Sequence, residues 1–455
     1  MKKTLKTLRY TRGRGIVTMV ILLAFAAFTP ILAQDSQKDR TSPETLSRGN
    51  LRTFVPTTVS KGWRDVYAKL PDPTQAPPMP GPDDIEAWGK IHRASEEAAE
   101  ADVQQIIQRY TIRVQRRDFG GVPVLEVTPK GWKDNGKVLV YVHGGAYTLF
   151  TARSTLRSSG PVAAHTGLRV IAVDYTNPPR AKWQEVTSQV VTVFQELMKQ
   201  GLTMKDIAVY GDSAGGGLAA GSVLKLRDAG MGMPAAVVLW SPWADITETG
   251  DTYQTLKDAE PNFLYENVLG PSADAYADRT DQKHPYVSPV YGDFGKGFPP
   301  TLIQGGTREI FLSNFVRLYQ ALDTAEQTVT LDIYEGMPHV FQAKLPASPE
   351  SVTALKKMDA FLVKHLKKRR TEMGEINPPE AKRIAEEAYI FAFSMLENYK
   401  TIYAQAVNEN LPTFRAPFNQ FNHWRQLLGP EFTEIVAPNN DTLYSMAWLD
   451  LGTEP

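Results

Sequence analysis

The strongest constraint in this chain is one short junction. The apolar run Ile207-Ala208-Val209-Tyr210 passes directly into Gly211-Asp212-Ser213-Ala214-Gly215, and a Gly/Ala-rich segment continues from Gly215. Such a run reads as a buried strand, and the Gly/Ala-rich segment reads as a helix. A strand that turns at once into a helix needs strained backbone at the turn and small neighbours on either side. That placement fits a serine hydroxyl raised at the end of a strand, a nucleophile elbow; the plain alternative is a Gly-rich tight turn.

The surrounding chain keeps the same rhythm. Strands are expected at Pro123–Thr128, Val138–Val142, Leu168–Asp174, Ile207–Tyr210, Ala235–Trp240, Thr301–Gln304 and Val329–Tyr334. Helices are expected at Asp84–Tyr110, Glu185–Lys199, Gly215–Ala229, Ser313–Thr324 and Ser351–Lys368. Near-continuous apolar strands separated by helices predict an α/β fold with a mostly parallel sheet covered on both faces. Residues 245–290 break the rhythm and read as a cap inserted over that sheet.

The ends read differently. Lys2, Lys3, Lys6, Arg9, Arg12 and Arg14 precede an apolar stretch from Ile16 to Leu32, closed by Ala33. Residues 1–33 therefore read as an export signal. The alternative is an uncleaved membrane anchor, although the stretch is short for a bilayer span of about 20 residues and contains Pro30. Residues 34–60 are expected to be a flexible lead, and 61–370 a folded domain in which Pro71–Pro82 interrupts any helix. The basic cluster Lys367-Lys368-Arg369-Arg370 and then Asn377-Pro378-Pro379 mark a boundary, so that 371–455 form a partial, mainly helical second domain.

Charge and cysteine content narrow the function. The 455-residue chain has 50 Lys+Arg and 50 Asp+Glu, which leaves no long-range field to attract nucleic acid or anionic membrane. It has no cysteine, and so no disulfide, thiol nucleophile or Cys-ligated zinc. No His-Glu-x-x-His or similar metal cluster occurs, and no metal or other cofactor is expected.

Three further segments complete a catalytic reading. His143-Gly144-Gly145-Ala146 comes after the strand Val138–Val142. Acyl transfer needs backbone N–H donors aimed at the developing oxyanion. Gly144, Gly145 and Ala146 offer that loop, with Gly145 and Ala146 as donors and Ala214 as a further one. His143 is expected to hold the loop, since it lies on the wrong element for a base. A serine also needs an imidazole to take its proton. Of the seven histidines, only His339 lies in a Gly/Pro loop after a late strand, in Glu335-Gly336-Met337-Pro338-His339. Glu309, after the strand Thr301–Gln304, is the best-placed acid, with a salt bridge to Arg308 or a lysine as its alternative role. The order Ser213, Glu309, His339 fits this fold.

These motifs together resemble the α/β-hydrolase-fold esterases of the hormone-sensitive-lipase family. The matching residues are His143-Gly144-Gly145-Ala146-Tyr147, Gly211-Asp212-Ser213-Ala214-Gly215-Gly216, Pro299-Pro300-Thr301-Leu302 through Glu309, and Gly336 through Phe341. The resemblance covers about residues 60–368. It implies a cofactor-free serine esterase or lipase for short- to medium-chain esters, with a cap built from N-terminal helices and an insertion. It makes Ser213 the nucleophile, Glu309 the acid and His339 the base. Three positions depart from the family pattern. Ala146 stands where Gly is commoner and Glu309 where Asp is usual, while Thr176-Asn177-Pro178-Pro179 replaces a Leu-Ala-Pro-Glu stretch. Ala437-Pro438-Asn439-Asn440-Asp441-Thr442-Leu443-Tyr444 is similar to the opening of an uncharacterised bacterial domain family. Asn439, Asn440 and Asp441 read as a turn more readily than as a polar site.

The expected partner is a small uncharged ester. A peptidase or amidase of the same fold, or a receptor that kept the fold without the chemistry, are the competing readings. Membrane contact is expected only through an uncleaved signal anchor, and the sequence sets no oligomeric state.

Overall fold

A computed structural model describes residues 54–70, 72–366 and, towards the C-terminus, 382, 385–387, 389, 393, 397, 399–423 and 445–447. The chain divides into two compact units, Met1–Arg369 and Arg370–Pro455. The expected signal at 1–33, residues 34–53 of the lead, the basic cluster at 367–370 and Asn439–Asp441 all lie outside the described residues.

The first unit is built on an eight-stranded sheet. Its strands are β1 Ile112–Phe119, β2 Val122–Pro129, β3 Val138–Val142, β4 Arg169–Val173, β5 Ile207–Asp212, β6 Ala236–Trp240, β7 Thr301–Gly306 and β8 Val329–Tyr334. Their order across the sheet is β1-β2-β4-β3-β5-β6-β7-β8. β1 and β2 are antiparallel to each other, β2 is antiparallel to β4, and every later pair is parallel. Every residue of β3, β5 and β6 is buried, as expected for strands covered on both faces.

All seven expected strands are present. β1 is an addition to them, because Arg113, Gln115, Arg116, Arg117 and Asp118 mask its apolar positions. It is an edge strand, where charged side chains discourage pairing with another chain. Gly120 and Gly121, both at positive φ (66° and 87°), close the hairpin between β1 and β2.

Helices cover both faces. The main ones are α1 Lys61–Tyr67, α2 Ile85–Tyr110, α3 Leu156–Thr166, α4 Trp183–Lys199, α5 Ala214–Asp228, α6 Leu312–Thr324 and α7 Pro349–His365. α4, α5 and α6 pack on one face through Phe194, Leu218 and Phe315. α2, α3 and α7 pack on the other through Ile106, Val162 and Met358. α2 starts where the sequence places it, with Asp84 Oδ1 accepting the Ala87 N–H at 3.0 Å. Its buried Trp88, Ile91, Ala99, Val103 and Ile106 recur at helical spacing, which makes one apolar stripe.

The cap segment is mostly turns around the short helices Thr252–Thr255 and Gly270–Tyr276. It is joined to the Pro-rich N-terminal stretch: the Met79 N–H donates to Asn267 O at 2.8 Å, and Asn267 Nδ2 donates to Ala76 O at 3.1 Å. The end of the expected flexible lead is in fact anchored. Val59 is buried, and Ser60 donates through N and Oγ to Glu350 at 2.8 and 3.0 Å. These bonds fix residues that composition alone reads as a tail. In the second unit, Asn422–His423 pairs antiparallel with Ser445–Met446, and residues 403–407 form a π-helical turn.

Candidate active site

Ser213 sits at the junction of β5 and α5 with φ 57° and ψ −126°. A non-glycine residue holds such a conformation only where its surroundings over-determine it. The glycines around it show why small residues are required. A Cβ on Gly211 would lie 2.2 Å from Gly215 O, and one on Gly215 would lie 2.2 Å from Val142 O. The Ser213 N–H donates to Trp240 O, and its carbonyl accepts the Trp243 N–H, each at 2.8 Å. The elbow is thus locked to the segment after β6.

Glu309 and His339 come together. His339 Nδ1 and Glu309 Oε2 are 2.7 Å apart, with both residues buried. The alternative pairing of Glu309 with Arg308 does not occur: the Arg308 guanidinium donates to Phe54 O and Ala259 O and lies over the Tyr67 ring. The longer glutamate stem is held at its far oxygen, where Oε1 accepts the Gly306 N–H at 2.6 Å and the Ser241 hydroxyl at 2.9 Å. Burial pushes the Glu309 carboxyl up, and the Gly306 and Ser241 donors oppose it. Burial likewise pushes the His339 imidazole down, so the free base is favoured. The rings of Phe263 and Phe311 meet the imidazole edge-on, at 4.9 and 5.1 Å between centroids.

The His-Gly-Gly loop packs against the elbow. A Cβ on Gly144 would lie 3.0 Å from Ser213 Cβ and 2.7 Å from Asp212 Oδ2. The Gly144 N–H faces the Asp212 carboxylate, which also accepts the Tyr141 hydroxyl at 2.5 Å. Gly145 and Ala146 stay the donors expected from this loop, with Gly144 turned toward Asp212. Gly145 at φ 109° and Ala146 at φ 51° turn the next two peptides in the left-handed region. Ala214, the first residue of α5, has an N–H with no intrahelical acceptor.

His143 lies under this loop. It is fully buried, its pKa is lowered to about 4 by burial, and its ring stacks on Tyr175 at 4.1 Å. Its Nδ1 lies 2.8 Å from Gly144 O, and its own carbonyl accepts the Tyr175 hydroxyl at 3.0 Å. This is the loop-holding place expected for it.

Three supporting residues are not legible in the sequence. Asn177 Nδ2 donates to Tyr147 O at 3.0 Å and Leu149 O at 3.3 Å, so the stretch that departs from the family pattern braces the end of the His-Gly-Gly loop. Tyr175 clamps His143 through its ring and its hydroxyl. Ser241, at φ 46°, links Glu309 to Val340. The only available signal for any of them is proximity to a strand end.

Comparison with known proteins places the fold in a family. The sequence profile of a family described as an alpha/beta hydrolase fold matches residues 139–343, and that of a protein family of unknown function, DUF1254, matches 418–455. The chain is 35% identical over 243 residues to an acetyl-hydrolase of Streptomyces hygroscopicus, covering 53% of this chain and 78% of that one. It is 29% identical over 254 residues to an esterase of Acinetobacter venetianus, covering 56% and 83%. Among solved structures it is similar to an esterase with a TM-score of 0.65 at 30% identity, covering 72% of this chain and 99% of that one. A further match, at TM-score 0.56 and 30% identity over 62% and 92%, is an esterase from the bacterial hormone-sensitive lipase family.

Proposed function

This chain belongs to the α/β-hydrolase-fold esterases of the hormone-sensitive-lipase family and is a carboxylic ester hydrolase; from that premise we propose an exported serine esterase working through an acyl-enzyme. The observations that carry the mechanism are the 2.7 Å Glu309–His339 bond and the elbow conformation of Ser213.

With Nδ1 bonded to Glu309, His339 presents Nε2 as its proton acceptor. Ser213 Oγ attacks the ester carbonyl carbon as its proton passes to Nε2. The carbonyl oxygen becomes an oxyanion and accepts the N–H groups of Gly145, Ala146 and Ala214. The imidazolium then protonates the departing alcohol, which leaves the acyl group on Ser213. Water, deprotonated by the same imidazole, releases the carboxylic acid and restores the enzyme. Glu309 orients the ring and stabilises its charged form throughout. No step calls on a cofactor.

The substrate class rests on enclosure and charge. Phe263 and Phe311 wall the base with apolar edges, and the balanced chain has no field to draw in charged esters. A short- to medium-chain uncharged ester fits, and the acetyl-hydrolase relative supports the short end. Secretion or periplasmic delivery is supported by the basic and apolar pattern of residues 1–33.

The test is Ser213→Ala with p-nitrophenyl acetate and butyrate and with a fluorophosphonate label. Loss of both turnover and labelling in a folded protein is expected, whereas retained turnover overturns the mechanism. Turnover of the matching anilides measures any amidase activity. N-terminal sequencing of the exported protein, expected to begin at Gln34, checks the signal.

A further inference from the structure

Beside the Glu309–His339 pair lies a second set of charges that the ester-cleaving steps do not use. Glu260 sits in the cap turn with no solvent exposure. Its Oε1 accepts the N–H and the Nδ2–H of Asn262, each at 2.8 Å, and its Oε2 accepts the Ile310 N–H at 3.2 Å. Burial pushes this carboxyl up, and the Asn262 donors oppose that by favouring the carboxylate. The other end of the Asn262 amide faces a cation, because Lys344 Nζ donates to Asn262 Oδ1. One amide therefore spaces a buried carboxylate from a partly buried ammonium, and both charges polarise it.

This relay is fastened to both halves of the dyad. Ile310 is the residue after Glu309, and Lys344 ends the short helix Phe341–Lys344 that begins just after His339. From the same cap turn as Glu260, Phe263 meets the imidazole edge-on at 4.9 Å between centroids. The charges facing His339 are Glu260 and Asp212, which favour its protonated form, and Lys344, which opposes it. Lys344 also favours the Glu309 carboxylate, while Arg157 faces Lys344 and Asp212. Arg308 approaches from the far side of the turn, where it donates to Ala259 O at 3.2 Å.

We propose that Glu260, Asn262 and Lys344 form a positioning relay that sets the pH range over which His339 serves as the base. The proposal rests on the serine-esterase reading and deepens it. When His339 takes the Ser213 proton, a positive charge appears in a poorly solvated site. Glu260 stabilises that charge alongside Glu309. Alone, two buried carboxylates would hold the proton too firmly for transfer to the leaving alcohol, and Lys344 limits this by cancelling one of them. The amide between them keeps the two charges apart, so neither neutralises the other by proton transfer.

The full-length protein tests this through the pH profile of kcat/KM for p-nitrophenyl acetate. Lys344→Met removes the opposing cation and is expected to move the acidic limb to higher pH, by on the order of one pH unit. Glu260→Gln is expected to move it to lower pH, and the double variant to return it near the parent value. A relay that only holds the cap turn in place would lower kcat without moving the limb. Limbs that stay fixed, or that shift in the same direction in both single variants, overturn the proposal. Lys344 is partly exposed, so Lys344→Met decides the matter if Glu260→Gln does not fold. Ser213 labelling by a fluorophosphonate separates the two readings: an unlabelled parent enzyme sinks the serine mechanism, and a labelled one with unmoved limbs sinks only the relay.

Discussion

Ser241 gives its hydroxyl proton to Glu309 Oε1 at 2.9 Å, and the same hydroxyl oxygen accepts the Val340 N–H at 3.0 Å. Val340 is the neighbour of His339, whose Nδ1 meets the other oxygen of Glu309. Acid, base and Ser241 thereby close a ring of hydrogen bonds on the segment that also anchors the Ser213 backbone. The direction of donation follows from the acceptor, since a carboxylate oxygen of Glu309 has no proton to give.

Removing that hydroxyl should therefore cost both activity and stability. Ser241→Ala leaves the buried Val340 N–H without its acceptor, a loss of about 1–3 kcal/mol. Ser241→Gly lacks the same hydroxyl but relieves the left-handed backbone at φ 46°, recovering about 1 kcal/mol. Both variants are expected to show a similar drop in kcat despite different melting temperatures. A kcat that tracks stability would refute the ring as a catalytic support.

Glu309→Gln should reduce kcat by about 10³–10⁴-fold, since the imidazole loses the partner that fixes its tautomer and stabilises its charge. Glu309→Asp should keep more activity than Gln and less than Glu. The shorter stem keeps the charge but cannot reach His339 while holding the Gly306 and Ser241 donors. Steady-state kinetics with a p-nitrophenyl ester distinguishes these outcomes, and an Asp variant as poor as Gln would count against the charge argument.

The two oxyanion-loop positions should respond in opposite directions. At Gly145, φ is 109° and a Cβ would lie 2.4 Å from Leu149 O, so Gly145→Ala is expected to abolish activity or folding. Ala146 already bears a Cβ at φ 51°, and Ala146→Gly should relieve about 1 kcal/mol of strain, less the added unfolded-chain entropy. Since its donor is a backbone N–H, kcat should survive. Thermal melts with parallel kinetics check both.

Acid stability should depend on a pair far from the site. Asp206 Oδ1 lies 2.8 Å from Lys137 Nζ in a buried salt bridge, and its carboxyl also accepts from Thr203. Burial alone would raise its pKa, but these bonds outweigh it and lower the value to about 2. The folded value lies below the unfolded one of about 3.9. The pair's contribution, on the order of 2 kcal/mol, is thus complete above about pH 4 and lost as pH falls towards 2. In Lys137→Met, denaturant melts should show a weaker fall in stability across that window, and an unchanged fall would refute the assignment.

Much of the architecture is readable because its causes are local. The run Ile207–Tyr210 before Gly211-Asp212-Ser213 forces a strand, a turn and a helix, and the apolar strands β3, β5 and β6 can only be buried on both faces. β1 escapes because the charges that protect an edge strand also hide its period. Of the site, the order Ser213, Glu309, His339 is legible, and the structure brings the last two into contact. The loop itself is legible, yet the turn of the Gly144 N–H toward Asp212 is set by loop conformation and not by composition.

The sequence by itself determined the strand–helix alternation, the elbow that needs small residues around Ser213, and the few side chains able to do acyl transfer. Those features arise from backbone sterics and hydrophobic periodicity, which act over a handful of neighbouring residues. Only the tertiary structure decided that Ser241 would brace Glu309, that Asn177 would hold the end of the His-Gly-Gly loop, and that Glu260 and Lys344 would face one imidazole across Asn262. Such contacts join residues far apart in the chain. Their strength comes from burial, where a carboxylate or an amide must find its partner inside the protein because water cannot supply one.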